Sequence, residues 1–402
     1  MKNVILLIMD GLGDRPNEIF DNKTALQYSY KPNMDFLAEH GVTGLMSPVS
    51  YGIRSGSDTS HLSILGYRPE DYYTGRGPFE AMGLGIDLKP GDIAFRANYA
   101  SVVNDMVVDR RAGRIRDTND LSKKLETEIN GIKIIMKSGV EHRAALVLRG
   151  DNLSDKVSDT DPHGVNSKPL NTSPLDDNAK FTASIINKFL ERSRKILNEH
   201  KINKDLISNG KLPANEILLR GAGKVPELPD FNIKYNLRAA CISGTPLIRG
   251  IAKLAGFDII DVDGMNGRID TNYKNIINSA MESLNKYNFI LINIKGADIG
   301  GHDKKPEIKK YAIEETDRAL KPFKDVLNNT LIVITGDHST PCSYGDHSGD
   351  PVPILFSTDG IINDDVKKFD ELSVSHGYYK IKSDDIIPLI LSYSDRSEKY
   401  GA

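Results

Sequence analysis

Seven side chains that could hold divalent cations are split between the two ends of this 402-residue chain: Asp10 and Ser57 near the start, then Asp298, His302, Asp337, His338 and His347. Carboxylate oxygens and neutral imidazole nitrogens suit Mn²⁺, Zn²⁺ or Co²⁺, whereas Mg²⁺ prefers oxygen and water. Seven ligands are read more economically as two ions than as one. Two ions about 3.5–4 Å apart clamp the attacking and leaving oxygens of an in-line phosphoryl displacement. A single Asp-His pair fits a capped surface loop equally well, because Asp favours turns. What sets these residues apart is the buried strand that precedes each group.

Asp10 closes the apolar run Val4 to Met9, Asp337-His338 follow Leu331 to Thr335, and Asp298 and His302 follow Phe289 to Ile294. Ligands of open α/β sheets gather at the carboxyl ends of the strands, so a shared site requires the chain to fold back on itself. Helical stretches from Pro32 to His40, Pro246 to Ala255, Tyr273 to Lys286 and Pro306 towards Val326 alternate with these strands. Such alternation predicts an α/β fold, doubly wound around a mainly parallel sheet.

The middle of the chain changes texture. Strand-like runs (Ile93 to Val103, Ile132 to Met136, Ala144 to Leu148) and two helical stretches (Asp120 to Ile129, Asn178 to His200) predict a smaller α+β domain inserted at 92–236. The core is then 1–91 with 237–402. A Gly/Pro-rich connector from Gly75 to Gly91 reads as one hinge, and the stretch from Pro226 to Asn236 as the other.

Ser57 lies between Gly56 and a helix-favouring stretch from Thr59 to Leu65. A helix amino terminus presents free N–H groups to an anion, which suits a serine that accepts a phosphoryl group. A hydroxyl is a poor nucleophile at neutral pH unless a base or metal activates it, and no His/Asp partner stands at nucleophile-elbow spacing. Metal activation is the better reading; the plain alternative is a helix cap. His61, one turn later, faces the same side and fits a structural or a site-supporting role. His40, His200 and His376 read as ordinary surface or capping histidines.

Composition sets looser limits. A net charge of −3 from 52 basic and 55 acidic residues gives no reason to expect a nucleic-acid or membrane-surface partner. Cys241 and Cys342 stand far apart, which implies neither a disulfide framework nor a thiolate zinc site. The amino-terminal apolar run is about half a spanning helix and lacks a cleavage signal, so it reads as a core strand and a cytoplasmic location is expected.

Met9-Asp10-Gly11, Gly56-Ser57-Asp58 with His61, Gly296-Ala297-Asp298 with His302, and Gly336-Asp337-His338-Ser339 with His347 resemble the ordered motifs of the alkaline phosphatase superfamily. Within it they are similar to the cofactor-independent phosphoglycerate mutases. The stretches Ser57 to Tyr67, Tyr73 to Glu80 and Val157 to His163 look most like the shorter, archaeal-type branch. The likeness covers essentially the whole chain, tightly at the metal motifs and more loosely through the insert.

The resemblance implies an alkaline-phosphatase-like fold with one ion on Asp10, Ser57, Asp337 and His338 and a second on Asp298, His302 and His347. Ser57 becomes the phosphorylated nucleophile. Mn²⁺ is the expected metal, with Zn²⁺, Co²⁺ or Mg²⁺ as alternatives, and no 2,3-bisphosphoglycerate is required. The implied reaction interconverts 3-phosphoglycerate and 2-phosphoglycerate in glycolysis and gluconeogenesis, with glycerate kept between the domains while it reorients.

The insert offers its own argument for an anion. Arg110, Arg111 and Arg114 stand close together beside Gly113, and Arg96, His142, Arg143, Asp161 and His163 are similar in character. Planar guanidinium forks match phosphate and carboxylate oxygens, so these residues are candidates to bind a small phosphorylated carboxylic acid. The alternative is solvated loop charge. At the level of function, a metal-dependent phosphatase or another phosphomutase of the same superfamily would use the same metal set, and a non-catalytic phosphometabolite-binding protein would need no nucleophile. The oligomeric state is not legible.

Overall fold

Asn3–Met9, Phe289–Ile294 and Thr330–Thr335 form three adjacent parallel strands with Asn3–Met9 in the middle. Both faces of these strands are covered, which is why they read as continuous aliphatic runs rather than as alternation. Met9 pairs with Ile294 and Ile8 with Thr335. The register therefore brings Asp10, the Gly296 segment and Gly336-Asp337 out at one edge of the sheet.

The computed structural model describes residues 1–399 and 401, and the chain divides into two compact units, Met1–Tyr72 with Leu228–Ala402, and Tyr73–Glu227. In the first unit the eight-stranded sheet runs Asp258–Ile259, Ala239–Ser243, Phe289–Ile294, Asn3–Met9, Thr330–Thr335, Val352–Ser357, Gly41–Ser47, Tyr379–Lys382. The first five strands are parallel; Val352–Ser357 is antiparallel to both of its neighbours. Helices Pro32–Glu39, Pro246–Leu254 and Pro306–Ala319 each begin at a proline. There the fixed φ suits a helix and the missing N–H costs nothing. This is the mainly parallel, helix-covered sheet expected from the alternation.

The second unit is built on an antiparallel sheet in which Ile93–Val103 pairs with both Arg143–Arg149 and Glu216–Lys224. One face of Ile93–Val103 (Ile93, Phe95, Ala97, Tyr99) joins the core formed with Ile185, Ile186 and Phe189 of the helix Lys180–Glu199. On the other face Ala94 packs with Ala81, Ala145 and Val147.

The units divide after Tyr72 and Glu227 rather than near residues 92 and 236. The Gly75 to Gly91 stretch, expected as a connector, contains the helix Arg76–Gly83, and a Cβ on Gly77 would lie 2.1 Å from the Ala94 carbonyl oxygen. Its glycine allows close packing against a strand of its own unit. At the other border, Phe231–Tyr235 is a helix of the first unit. Among the described residues, no helix is long and apolar enough to cross a membrane.

Ile292, fully buried, pairs with Leu7 and Ile242 on neighbouring strands. Ile292→Ala is expected to destabilise the protein by about 2–5 kcal/mol, read as a lower urea midpoint at unchanged slope. A shift worth under ~1 kcal/mol would mean that this strand is not the tightly packed centre of the sheet.

Candidate active site

Asp10 and Asp337 leave adjacent strands as fully buried carboxylates, and the Gly11 N–H donates to Asp337 Oδ1 at 2.9 Å. His338 Nε2 lies 3.6 Å from Asp10 Oδ1 and 3.4 Å from Asp337 Oδ2. Ser57 Oγ is 3.1 Å from the same Nε2. Ser57 is the first residue of the helix Ser57–Ile64, behind Gly56 in extended conformation, so free N–H groups surround its hydroxyl. His61 Nδ1 donates to the Ser57 carbonyl at 2.7 Å while its Nε2 faces Asn293 Nδ2 at 3.4 Å. His61 thus ties this helix to the strand ends.

The second group is built from a short helix and a loop. Asp298 and His302 lie four residues apart on the helix Gly296–His302, with His302 Nε2 3.3 Å from Asp298 Oδ1. His347 Nε2 reaches the same oxygen at 3.7 Å, and its Nδ1 is held by the Ser55 carbonyl at 2.8 Å. The intervening glycines have a local cause. A Cβ on Gly300 would come within 2.5 Å of the Lys309 nitrogen, and one on Gly301 within 2.2 Å of the Thr340 carbonyl oxygen. Only glycine lets this helix sit against both.

The structure brings all seven sequence-predicted ligands together. Asp10, Asp337 and His338 offer ligand atoms within 4.8 Å of one another, as do Asp298, His338 and His347, and also His302, Asp346 and His347. Asp346 was not anticipated. Neither was Lys295, whose Nζ lies 3.2 Å from both Asp10 oxygens and 2.7 Å from Asp298 Oδ2. A lysine just past an apolar strand carries no signal that separates it from a surface residue.

Charge is crowded here. Burial and then the neighbouring Asp337 push the Asp10 carboxyl above its usual range. Burial also opposes ionisation of Asp298, but Lys295, His338, His302 and His347 outweigh it and hold that carboxyl well below the usual range. Burial, then His347, pull His338 down to about 3, which keeps the imidazole neutral and its nitrogen free to ligate. Asp337 Oδ2 is buried with no hydrogen-bond partner. An orphaned carboxylate oxygen beside the neutral His338 imidazole is what a divalent cation would satisfy, so the residues present fit metal ions.

In the second unit, strand register sets Arg96 opposite Arg220 and Asn98 opposite Arg143. Such like-charge pairing is unfavourable by itself. Two buried carboxylates offset part of it: Glu80 lies 3.0 Å from Arg76 and 3.8 Å from Arg96, and Asp161 takes two hydrogen bonds from Arg110, at 2.9 and 2.6 Å. Arg220 stands 4.0 Å from Asp161. Buried Arg96 Nε, Asn98 Oδ1 and His142 Nδ1 have no hydrogen-bond partner. Burial, then Arg143, Arg111 and Arg96, push His142 down to about 3. His163 is exposed, 3.4 Å from Asp159, with its N–H on Asp161; Arg114 stands exposed in the turn Ala112–Arg114. Arg76, Glu80 and Arg220 were not foreseen as site residues, although Arg76 and Glu80 lie in a stretch that carried the resemblance.

A family model described as 2,3-bisphosphoglycerate-independent phosphoglycerate mutase matches residues 38–203. The enzyme of that name from Picrophilus torridus is 58% identical over 402 residues, the full length of both chains. The chain belongs to this mutase family. The Thermoplasma volcanium member is 50% identical, covering 100% of this chain and 99% of the relative. The solved cofactor-independent phosphoglycerate mutase from Thermoplasma acidophilum superposes with a TM-score of 0.72 at 42% identity, covering 98% of this chain and 100% of that one. A Pyrococcus horikoshii protein of solved structure gives a TM-score of 0.87 at 34% identity, covering 100% and 99% of the two chains.

If these side chains hold the metal ions that mutase chemistry needs, His302→Ala and His338→Ala should each lower the bound-metal content measured by elemental analysis. Full occupancy in both variants would remove the two histidines from the ligand set.

Proposed function

We propose that this member of the mutase family interconverts 3-phosphoglycerate and 2-phosphoglycerate through a phosphoserine at Ser57. The observation that carries the reading is Ser57 Oγ at a helix amino terminus, 3.1 Å from His338 Nε2 and inside the buried Asp10, Asp337 and His338 group. Two divalent ions, Mn²⁺ before Zn²⁺, Co²⁺ or Mg²⁺, fit Asp10, Ser57, Asp337 and His338 on one side and Asp298, His302 and His347 on the other. When bound they would lower the pKa of the Ser57 hydroxyl and screen the phosphoryl charge.

The chain's own groups do the remaining work. Ser57 Oγ gives up its proton and attacks phosphorus; the Oγ–P bond forms, the P–O bond to C3 breaks, and the released glycerate oxygen takes a proton. Helix N–H groups at Ser57 and the Lys295 ammonium, which the Asp10 and Asp298 carboxylates hold charged against the pull of burial, stabilise charge on the transferred group. The C2 hydroxyl of the same glycerate then attacks the phosphoserine, restoring Ser57. A phosphatase would differ only in letting water make that second attack.

The second unit carries a guanidinium cluster of its own. Arg76, Arg96, Arg143, Arg110 and Arg220 outnumber Glu80 and Asp161, and buried Arg96 Nε, 3.8 Å from Glu80, has no hydrogen-bond partner. This excess suits the carboxylate of glycerate or its phosphate ester, with Arg111, Arg114, His142 and His163 at its margin. The domain division read this way is a metal-bearing core interrupted by an anion-binding insert. The reaction is a cytoplasmic step of glycolysis and gluconeogenesis that needs no 2,3-bisphosphoglycerate.

Assays on 3-phosphoglycerate, scoring 2-phosphoglycerate against free phosphate, test this. Ser57→Ala should lower kcat by more than about a hundredfold, a loss above ~2.7 kcal/mol; residual turnover above that level would exclude a phosphoserine. Arg96→Met should raise KM and increase the phosphate released per isomerisation, because a less firmly held glycerate is replaced by water. An unchanged ratio at normal KM would place Arg96 outside the substrate's reach. After chelation, Mn²⁺, Co²⁺ or Zn²⁺ should restore turnover better than Mg²⁺.

A further inference from the structure

Thr340 is fully buried, and its hydroxyl stands between the two ligand groups. Oγ1 lies 3.0 Å from His338 Nδ1 and 3.0 Å from Asp298 Oδ1. Donors and acceptors can be assigned from chemistry alone. An ionised carboxylate only accepts, so the Thr340 O–H points to Asp298 and its lone pair receives the His338 Nδ1–H. That assignment places the proton of His338 on Nδ1 and leaves the Nε2 lone pair facing Asp10, Asp337 and Ser57. The same hydroxyl occupies Asp298 Oδ1, towards which His302 and His347 also turn.

The residue is itself held from three other sides. Its N–H donates to the Gly13 carbonyl at 3.0 Å, and its own carbonyl accepts from Lys309 Nζ at 3.0 Å. Lys309, fully buried, donates a second bond at 2.7 Å to Gly13, in the loop that follows Asp10. Gly301, on the helix of Asp298 and His302, packs against the Thr340 carbonyl closely enough to exclude any Cβ. One ammonium thus pins the loops after two ligand-bearing strands, and one hydroxyl reaches from there to a ligand of each ion.

We propose that Thr340 is a positioning residue that couples the two ion sites, fixing the tautomer of His338 in the first and the orientation of Asp298 in the second through a single hydroxyl. This rests on the two-metal reading above. Outer partners of this kind typically change metal affinity by about 10–100-fold when removed; a hydroxyl shared by both sites should change both affinities together. A threonine kept only for its turn would change neither.

The test is calorimetric titration of Mn²⁺ into chelator-stripped wild type, Thr340→Val and Thr340→Ser. Valine keeps the shape and loses the hydroxyl; serine keeps the hydroxyl. Wild type should bind two ions, Thr340→Val should bind both about 10–100-fold more weakly, and Thr340→Ser should return both towards wild type. Unchanged affinities in the valine variant, or weakening at one site alone, would overturn the coupling while leaving the two-metal reading intact. If metal-free Thr340→Val melts lower than wild type, the serine variant decides: recovery of both affinities supports the proposal, and its failure overturns it. A wild type that binds fewer than two ions would instead overturn the two-metal reading, and the coupling with it.

Discussion

The constraint on which the rest depends is the crowding of carboxylates where three parallel strands end side by side. Hydrogen-bonded strands lie about 4.8 Å apart, so acidic residues leaving neighbouring strand ends are forced together. Asp10 and Asp337 are both fully buried, and Asp298 is nearly so. Buried like charges are costly unless cations or donors compensate them. Lys295 neutralises part of the charge, and the raised Asp10 carboxyl and the orphaned Asp337 oxygen record what is left. Under the proposed function this deficit is what divalent ions would offset, and they would let Ser57 act as a nucleophile without a dedicated base.

Holding such a site open takes packing as well as charge. The helix bearing Asp298 and His302 approaches its neighbours through Gly300 and Gly301, whose missing Cβ atoms let backbone meet backbone. Lys309 and Thr340 fasten the loops behind the ligands. The second unit meets the same problem with opposite sign. Cross-strand guanidiniums at Arg96 and Arg220 are tolerated because Glu80 and Asp161 stand among them.

The sheet and the grouping of Asp10, Asp298 and Asp337 at its strand ends were legible because each of these three follows an aliphatic run whose length and composition identify a buried strand. Residues that act through tertiary contact were not. Lys295 and Thr340 look like loop residues, and Glu80 gains its meaning only beside Arg76 and Arg96, on another element. Glycine density misled at Gly75 to Gly91, where Gly77 lets the helix Arg76–Gly83 pack against Ala94 within one unit. The helix expected from Asp120 to Ile129 ends at Leu125, because Thr127–Ile129 pairs with Ile132–Ser138. Asn130 and Gly131 both take positive φ there. An Asn-Gly pair between apolar runs is a strong hairpin signal, and it outweighs helical periodicity.

In the proposed mechanism Ser57 carries the phosphoryl group during turnover. The most direct measurement is rapid acid quenching of the metal-loaded protein turning over 3-phosphoglycerate, followed by mass spectrometry of the peptide that contains Ser57. A phosphoryl group on Ser57 that builds up within the first turnover and disappears as substrate is exhausted is the expected result. Steady conversion to 2-phosphoglycerate with no phosphoryl group on that peptide at any quench time would exclude Ser57 as the carrier.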